Sequence, residues 1–243
     1  MANMRYGLKE VANVTFFDIA TGKPAIFFDT LKVSTIENES ESAEARGGQG
    51  NGRLIAWDYN RTATLQIQDA LLSDVSLAML AGTAVKTSNI VAHGRETLTV
   101  SGNGVTLKEA PINGTVHVYK VTNGVLQDEV SSFTVTGQDI DFSAGVTDGD
   151  QVMVFYQYNV TSTDAVQITF SADKFPSIYR VVGDTIVRGQ DGIDRKMQFV
   201  IPKAKLQSGF SLTMNVEEVS TFDFNLDVLV EAGTNKLYDI IRL

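Results

Sequence analysis

The sequence predicts an all-β protein, mainly strand with one helix: a β-sandwich or barrel body carrying an inserted small Ig-like β-sandwich. Three observations predict this class. Twenty Gly against four Pro, with Val, Thr, Ile and Phe prominent, favour strands joined by tight turns. Short runs along most of the chain alternate apolar and polar residues, the period of a half-buried strand. Helical spacing occurs in one segment alone.

Val14-Thr15-Phe16-Phe17-Asp18 and Ala25-Ile26-Phe27-Phe28-Asp29 flank Thr21-Gly22-Lys23-Pro24 and read as a β-hairpin. A third strand follows over Leu31 to Ile36. From Glu37 to Arg53 the chain turns polar, with four Glu, four Gly and no hydrophobic periodicity, and it reads as a long loop. Connections beyond about 12 to 15 residues in a compact domain are usually functional or disordered. Leu54 to Trp57 and Arg61 to Gln68 give two more strands, the second with Ala63, Leu65 and Ile67 on one face. Over Asp69 to Ala84 the period changes. Leu71, Leu72, Val75, Leu77, Met79 and Leu80 form a stripe at helical spacing, with Ser73 or Asp69 available as its cap.

From Glu96 short strands recur at intervals of roughly eight to twelve residues between Gly-containing turns, as in small β-sandwiches. The strands read as Thr115 to Val121, Ser132 to Thr136, Asp139 to Ser143 and Gln151 to Tyr158. Residues 97–160 hold seven acidic residues and two Lys, a net −5 of the chain's −9. Longer strands return with Val166 to Ser171, Tyr179 to Arg188, Lys196 to Ile201, Gly209 to Glu217 and Phe222 to Glu231. The simplest organisation is a discontinuous body, 1–95 plus 161–243, with an inserted module at 96–160.

The 243 residues are 43% hydrophobic and 20% charged, enough to bury a sizeable core. A net charge of −9 argues against a binder of nucleic-acid phosphates, whose affinity comes from Lys and Arg. With no Cys, disulfides, thiolate metal sites and Cys nucleophiles are excluded. Met1 to Glu10 has no apolar core of a signal peptide, and no apolar run reaches the roughly 18 residues of a membrane span. The five Asn-x-Ser/Thr sequons therefore carry no glycosylation message.

Searching for chemistry yields no catalytic, cofactor or metal residues. His117 lies in the alternating run Thr115 to Tyr119 as a strand residue, and His93 reads as a loop residue before Gly94. Gly47 to Arg53 spans the glycines of a phosphate-binding loop but puts Arg53-Leu54 where Lys and a hydroxyl are needed. Asp191-Gly192-Ile193-Asp194 and Asp148-Gly149-Asp150 cluster carboxylates that calcium would accept, yet Asp-Gly pairs are common turn formers. A hydrolase using two carboxylates stays open as a minor reading, since such groups pair in space. Trp57, Phe16-Phe17, Phe27-Phe28 and Phe155-Tyr156 read as core and interface packing.

The order of parts resembles the major tail proteins of tailed phages: a hairpin, a Gly- and Glu-rich loop, two strands, one helix, a small β insertion, then long strands ending in Phe222-Asp223-Phe224-Asn225-Leu226. Glu44 to Asp58 looks like the loop-to-strand passage of tail tube subunits. Val105-Thr106-Leu107 and Phe142-Ser143-Ala144-Gly145-Val146 are similar to the small β modules such proteins carry. The resemblance implies a virion structural protein without enzymatic activity or cofactor. It implies hexameric rings stacked into a tube with an acidic lumen for DNA passage, a helix over the outer face of the sheet and a module projecting outward. The implied partners are further copies of the chain, the tape measure, tail terminator and baseplate, and a sheath if the tail contracts; DNA passes without specific binding and no membrane is entered. The contacts between subunits or rings fall to Glu37, Glu39, Glu41, Glu44, Arg46, Gly47, Gly48, Gln49, Gly50, Asn51, Gly52 and Arg53, mobile in the monomer and ordered on assembly. The alternative is a virion surface or adhesion module that binds a carbohydrate or cell-surface partner.

Overall fold

The computed structural model describes residues 5–216 and 221–243. The chain divides into two compact units, Met1–Val85 with Ile168–Leu243 and, separately, Lys86–Gln167. The larger unit contains β1 (Tyr6–Leu8), β2 (Asn13–Asp18), β3 (Pro24–Phe28), β4 (Leu31–Gly47), β5 (Gly52–Asp69) and the helix α1 (Asp74–Ala81). The smaller contains β6 (Val91–Thr99), β7 (Gly104–Thr106), β8 (His117–Thr122), β9 (Val125–Val130), β10 (Phe133–Thr136), β11 (Asp139–Phe142) and β12 (Gln151–Asn159). The larger unit resumes with β13 (Ile178–Gly189), β14 (Asp194–Leu206), β15 (Phe222–Val228) and β16 (Asp239–Arg242).

The protein is all-β, with antiparallel pairing throughout its named strands. The larger unit is one sheet in the order β3-β2-β13-β14-β15-β5-β4, with β1 added to β13 and β16 to β14. β3 and β15 stand at opposite ends of the run β3-β2-β13-β14-β15, yet the Phe28 and Phe224 rings lie 5.2 Å apart. The sheet therefore curls onto itself and encloses Val14, Phe16, Leu65, Ile67, Ile201 and Leu226, all at most 2% exposed. Alternation along each strand causes this, because burying one set of side chains turns the intervening set to the outside. The β2–β3 turn is held by Asp18, whose Oδ1 accepts from the Thr21 amide at 2.7 Å while Gly22 takes φ 67°.

Several expectations need correction. Glu37–Arg53 is not a loop: its backbone is paired from Glu37 to Gly47 against Thr64 to Gly52, leaving only the tip as a turn. Leu54–Trp57 and Arg61–Gln68 are parts of the single strand β5. Val166–Ser171 forms no strand beyond a bridge from Gln167 to Lys86. Residues 209–216 form no named strand, and Glu217, the end of that expected strand, lies outside the described residues. β15 ends at Val228 rather than Glu231. His93 is a strand residue opposite Gln157, not a loop residue. The strands β1, β9 and β16 are too short or too exposed to show an apolar face in sequence.

The helix begins at Asp74, later than its apolar stripe implied. Ser73 caps it: its hydroxyl accepts from the Ser76 amide and the Ser76 hydroxyl from the Ser73 amide, both at 3.1 Å. Gly82, left-handed at φ 64°, ends it. Leu80 enters the core with Leu77 and Met79 packed against it, so the helix covers the core side of the sheet, while Leu71 stays 63% exposed.

In the smaller unit, β6-β12-β8-β9 and β10-β11-β7 form two sheets around Val118, Ile140, Val152 and Val154. β6 pairs with β12 from Val91 to Thr99, and the Lys86–Gln167 bridge lies beyond it. The unit takes in residues 86–95 and 161–167, because the ladder runs back past residue 95 to Val91 and the Lys86–Gln167 bridge lies beyond residue 160. Its first strand pairs with its last, whereas an immunoglobulin constant-type domain sets its first strand beside its second.

Both units lay an aromatic ring over a cross-strand glycine: Phe199 over Gly183 and Tyr156 over Gly94. A Cβ on Gly183 would fall inside the Phe199 ring, which is 7% exposed and has no room to retreat. Gly183→Ala should therefore cost about 1–3 kcal/mol of stability in chemical denaturation. Gly7→Ala, whose added carbon meets nothing within 4 Å, should change stability by less than about 0.5 kcal/mol.

Candidate functional site

β4 and β5 are far longer than the body needs. The last inward pair is Asn38 opposite Ala63, and beyond it the two strands continue as a ribbon paired only with each other among the described residues. Every residue from Asn51 to Thr62 is exposed. The ribbon closes in a turn whose Gly48, Gly50 and Asn51 take φ 81°, 84° and 50°, with the Asn51 amide donating to the Gly48 carbonyl at 3.1 Å. Glycine adopts this backbone without a steric cost, and asparagine tolerates it better than most side chains.

A bulge separates ribbon from body. Glu39 faces Thr62 and Glu41 faces Tyr59, so β5 spends one more residue than β4 over this step. Asn60 takes φ 52° there and its Nδ2 donates to Glu41 Oε1 at 2.7 Å. One extra residue moves every later side chain to the opposite face. Ala63, Leu65 and Ile67 point to the core, but Tyr59, Trp57 and Ile55 lie beside Glu41, Ala43 and Ala45 on the outward face that Val33 and Thr35 begin.

The ribbon is consequently two-faced. One face carries Ile55, Trp57 and Tyr59 at 51%, 57% and 52% exposure, with small Ala43 and Ala45 between. The other carries Ser42, Asp58 and the cluster in which Glu44 accepts from Arg46 at 2.6 Å and Arg53 at 3.0 Å. Of the residues singled out in sequence, Glu37, Glu39 and Glu41 lie along β4, while Glu44, Arg46 and Arg53 meet in that cluster. Gly47 pairs with Gly52, and Gly48, Gln49, Gly50 and Asn51 make the turn. Sequence reasoning gave Trp57 only as core or interface packing and did not single out Ile55 or Tyr59, since their alternation is also that of a core strand.

The other candidates have structural partners. His117 Nδ1 lies 2.9 Å from Glu129 Oε1. Asp148 accepts from the Asn103 amide at 2.9 Å, and Asp150 pairs with Lys120 at 2.7 Å. Asp194 pairs with Arg188 at 2.6 Å and Asp191 with Arg195 at 2.7 Å, within a turn instead of a cation site. The described residues contain no group of three His, Asp or Glu placed to hold a metal, and no helix long and apolar enough to cross a membrane. Near Arg188 a groove of about 490 Å³ is lined by Glu10, Asp184 and Asp194. Arg188 holds Asp194 below the usual carboxylate range, the opposite of what a general acid needs.

The chain matches the family described as the YomU/Tube protein family over residues 6–242 and belongs to it; it is a phage tube-like protein. No curated protein matches the sequence.

Hydrogen bonds from Arg195, then from the Ile193 amide, hold Asp191 down at about 2. Its folded value thus lies below its unfolded one, so its contribution to the β13–β14 turn is complete above the ordinary carboxylate range and fades as pH falls toward about 2. Carboxyl resonances followed by NMR titration should place the Asp191 midpoint near 2 and move it upward in Arg195→Gln.

Proposed function

We propose that this chain is the tail tube subunit of a phage virion. It polymerises as stacked hexameric rings around a channel for DNA, and residues 39–62 are the arm that joins one copy to its neighbours. The reading is carried by the arm's exposed apolar face. A lone two-stranded ribbon is marginal in water, and a contiguous apolar patch on a soluble surface marks an interaction site. Fully burying a large apolar side chain contributes about 1.5–3 kcal/mol, so covering three half-exposed ones supports an inter-subunit contact.

Two further features fit. β3 and β4 end the sheet order, and their outer edges, unpaired among the described residues, offer backbone groups to a neighbouring sheet. The outward face of β15 and β5 carries Asp223, Asn225, Asp227, Gln66 and Gln68, carboxylates and amides suited to a channel wall that repels DNA phosphates. In this account residues 86–167 are an inserted small β-sandwich module. The ends of the polymer meet the tape measure, tail terminator and baseplate, and its outside meets a sheath if the tail contracts.

Replacing Ser42–Asp58 by Asn-Gly retains the Glu41–Tyr59 rung and removes the outer arm. The variant should remain folded, with an unchanged thermal midpoint, and form no rings or tubes in electron micrographs where the natural chain forms them. Tubes of normal length from this variant would contradict the assignment.

A further inference from the structure

The larger unit carries a second apolar surface, on a part of the sheet remote in register from the arm. Phe27 of β3 pairs with Thr15 of β2, Thr15 with Val182 of β13, and Val182 with Val200 of β14. Residues directly opposite on neighbouring strands share a face. Phe27, Thr15, Val182 and Val200 therefore make one row across four strands on the outward side, with Phe27 55% exposed. The adjacent row holds Phe17 opposite Arg180, an exposed guanidinium. The strip across β15 and β5, by contrast, is carboxylate and amide.

We propose that the arm's face of Ile55, Trp57 and Tyr59 docks on this belt in a second copy of the chain. The proposal rests on the assembly role assigned to the arm and names its receiving surface. Three properties match. Strands about 4.8 Å apart make a four-strand row roughly 14 Å long, and three alternate residues rising about 3.4 Å each span roughly 13 Å. The arm's stripe is apolar and the belt offers Phe27, Val182 and Val200 around Thr15, with Asp239 opposite Val200 at its far end, so contact removes apolar surface on both sides from water. Glu41 lies beside Tyr59 at one end of the arm's stripe, and Arg180 lies beside the belt, giving opposite charges at the margin of the contact. Arm and belt are different patches of one chain, so their contact is heterologous: each copy gives an arm and receives one, which propagates a ring or stack instead of closing a dimer.

The absence of native Cys permits a direct test. Ala43→Cys places a thiol opposite Trp57 on the arm, Thr15→Cys places one in the belt, and Gln66→Cys serves as a decoy on the polar outward strip. Equal mixtures of the Ala43→Cys copy with either partner are treated with a short bis-maleimide. Cross-linked 43–15 dimers should exceed 43–66 dimers at least ten-fold. Arg180→Glu and Glu41→Arg should each lower the 43–15 yield, and the two together should restore it. Equal yields at Thr15 and Gln66, or a 43–15 yield indifferent to both charge reversals, would overturn the docking. A preference for Gln66 would leave the arm as an assembly element with another receptor, whereas tubes from the arm-replaced chain would remove the assembly role itself.

Discussion

One strand serves two environments, and a single extra residue separates them. From Ala63 to Asp69, β5 lies between β4 and β15 and supplies Leu65 and Ile67 to the core. From Gly52 to Tyr59 it has β4 alone, and the bulge at Asn60 has turned its apolar residues outward. Without that bulge, unbroken alternation would carry Ile55, Trp57 and Tyr59 along the core-side face and leave the outward face to Asp58 and Ala56. Asn60 suits the place because it tolerates a left-handed backbone and its amide holds Glu41 across the ladder.

The body is independent of the arm in energetic terms. Its core is closed by the curl of the sheet, by Phe16, Phe28 and Phe224 in ring contact, and by the Leu80 side of a capped helix. Thr30 and the Leu71 amide satisfy buried Asp69, which fastens the β3–β4 corner to the end of β5. Among the described residues nothing comparable holds the ribbon beyond Asn38; the ribbon's side-chain hydrogen bonds and ion pairs lie within it. Under the proposed assembly role, the body folds first and the arm finds its remaining burial on another copy.

How much was legible in the sequence depends on whether a segment buries one face. The β2–β3 hairpin, β13 and β11 announce themselves, because Val14, Phe16, Val181 and Ile140 recur at every second position next to turn residues. β4 beyond Ile36 does not, since neither of its faces is buried and the alternation that marks a strand is absent. The converse error arose at Val166–Ser171 and 209–216, where apolar residues alternate without forming a named strand; Phe170 and Phe210 pack on each other at 5.2 Å. The helix stripe misled because Leu71 precedes the Ser73 cap and stays exposed. For the arm, the polar half was picked out by composition, and the apolar half was hidden by its likeness to a core strand.

Trp57 is the only tryptophan in the chain, so its fluorescence reports the arm alone. The most direct measurement follows its emission and its quenching by acrylamide in the dispersed chain and in assembled tubes. This account predicts a solvent-exposed, readily quenched indole in the dispersed chain, and a blue-shifted, protected one after assembly. Tubes in which Trp57 remains as exposed and as quenchable as before would contradict the claim that the arm's apolar face joins the copies.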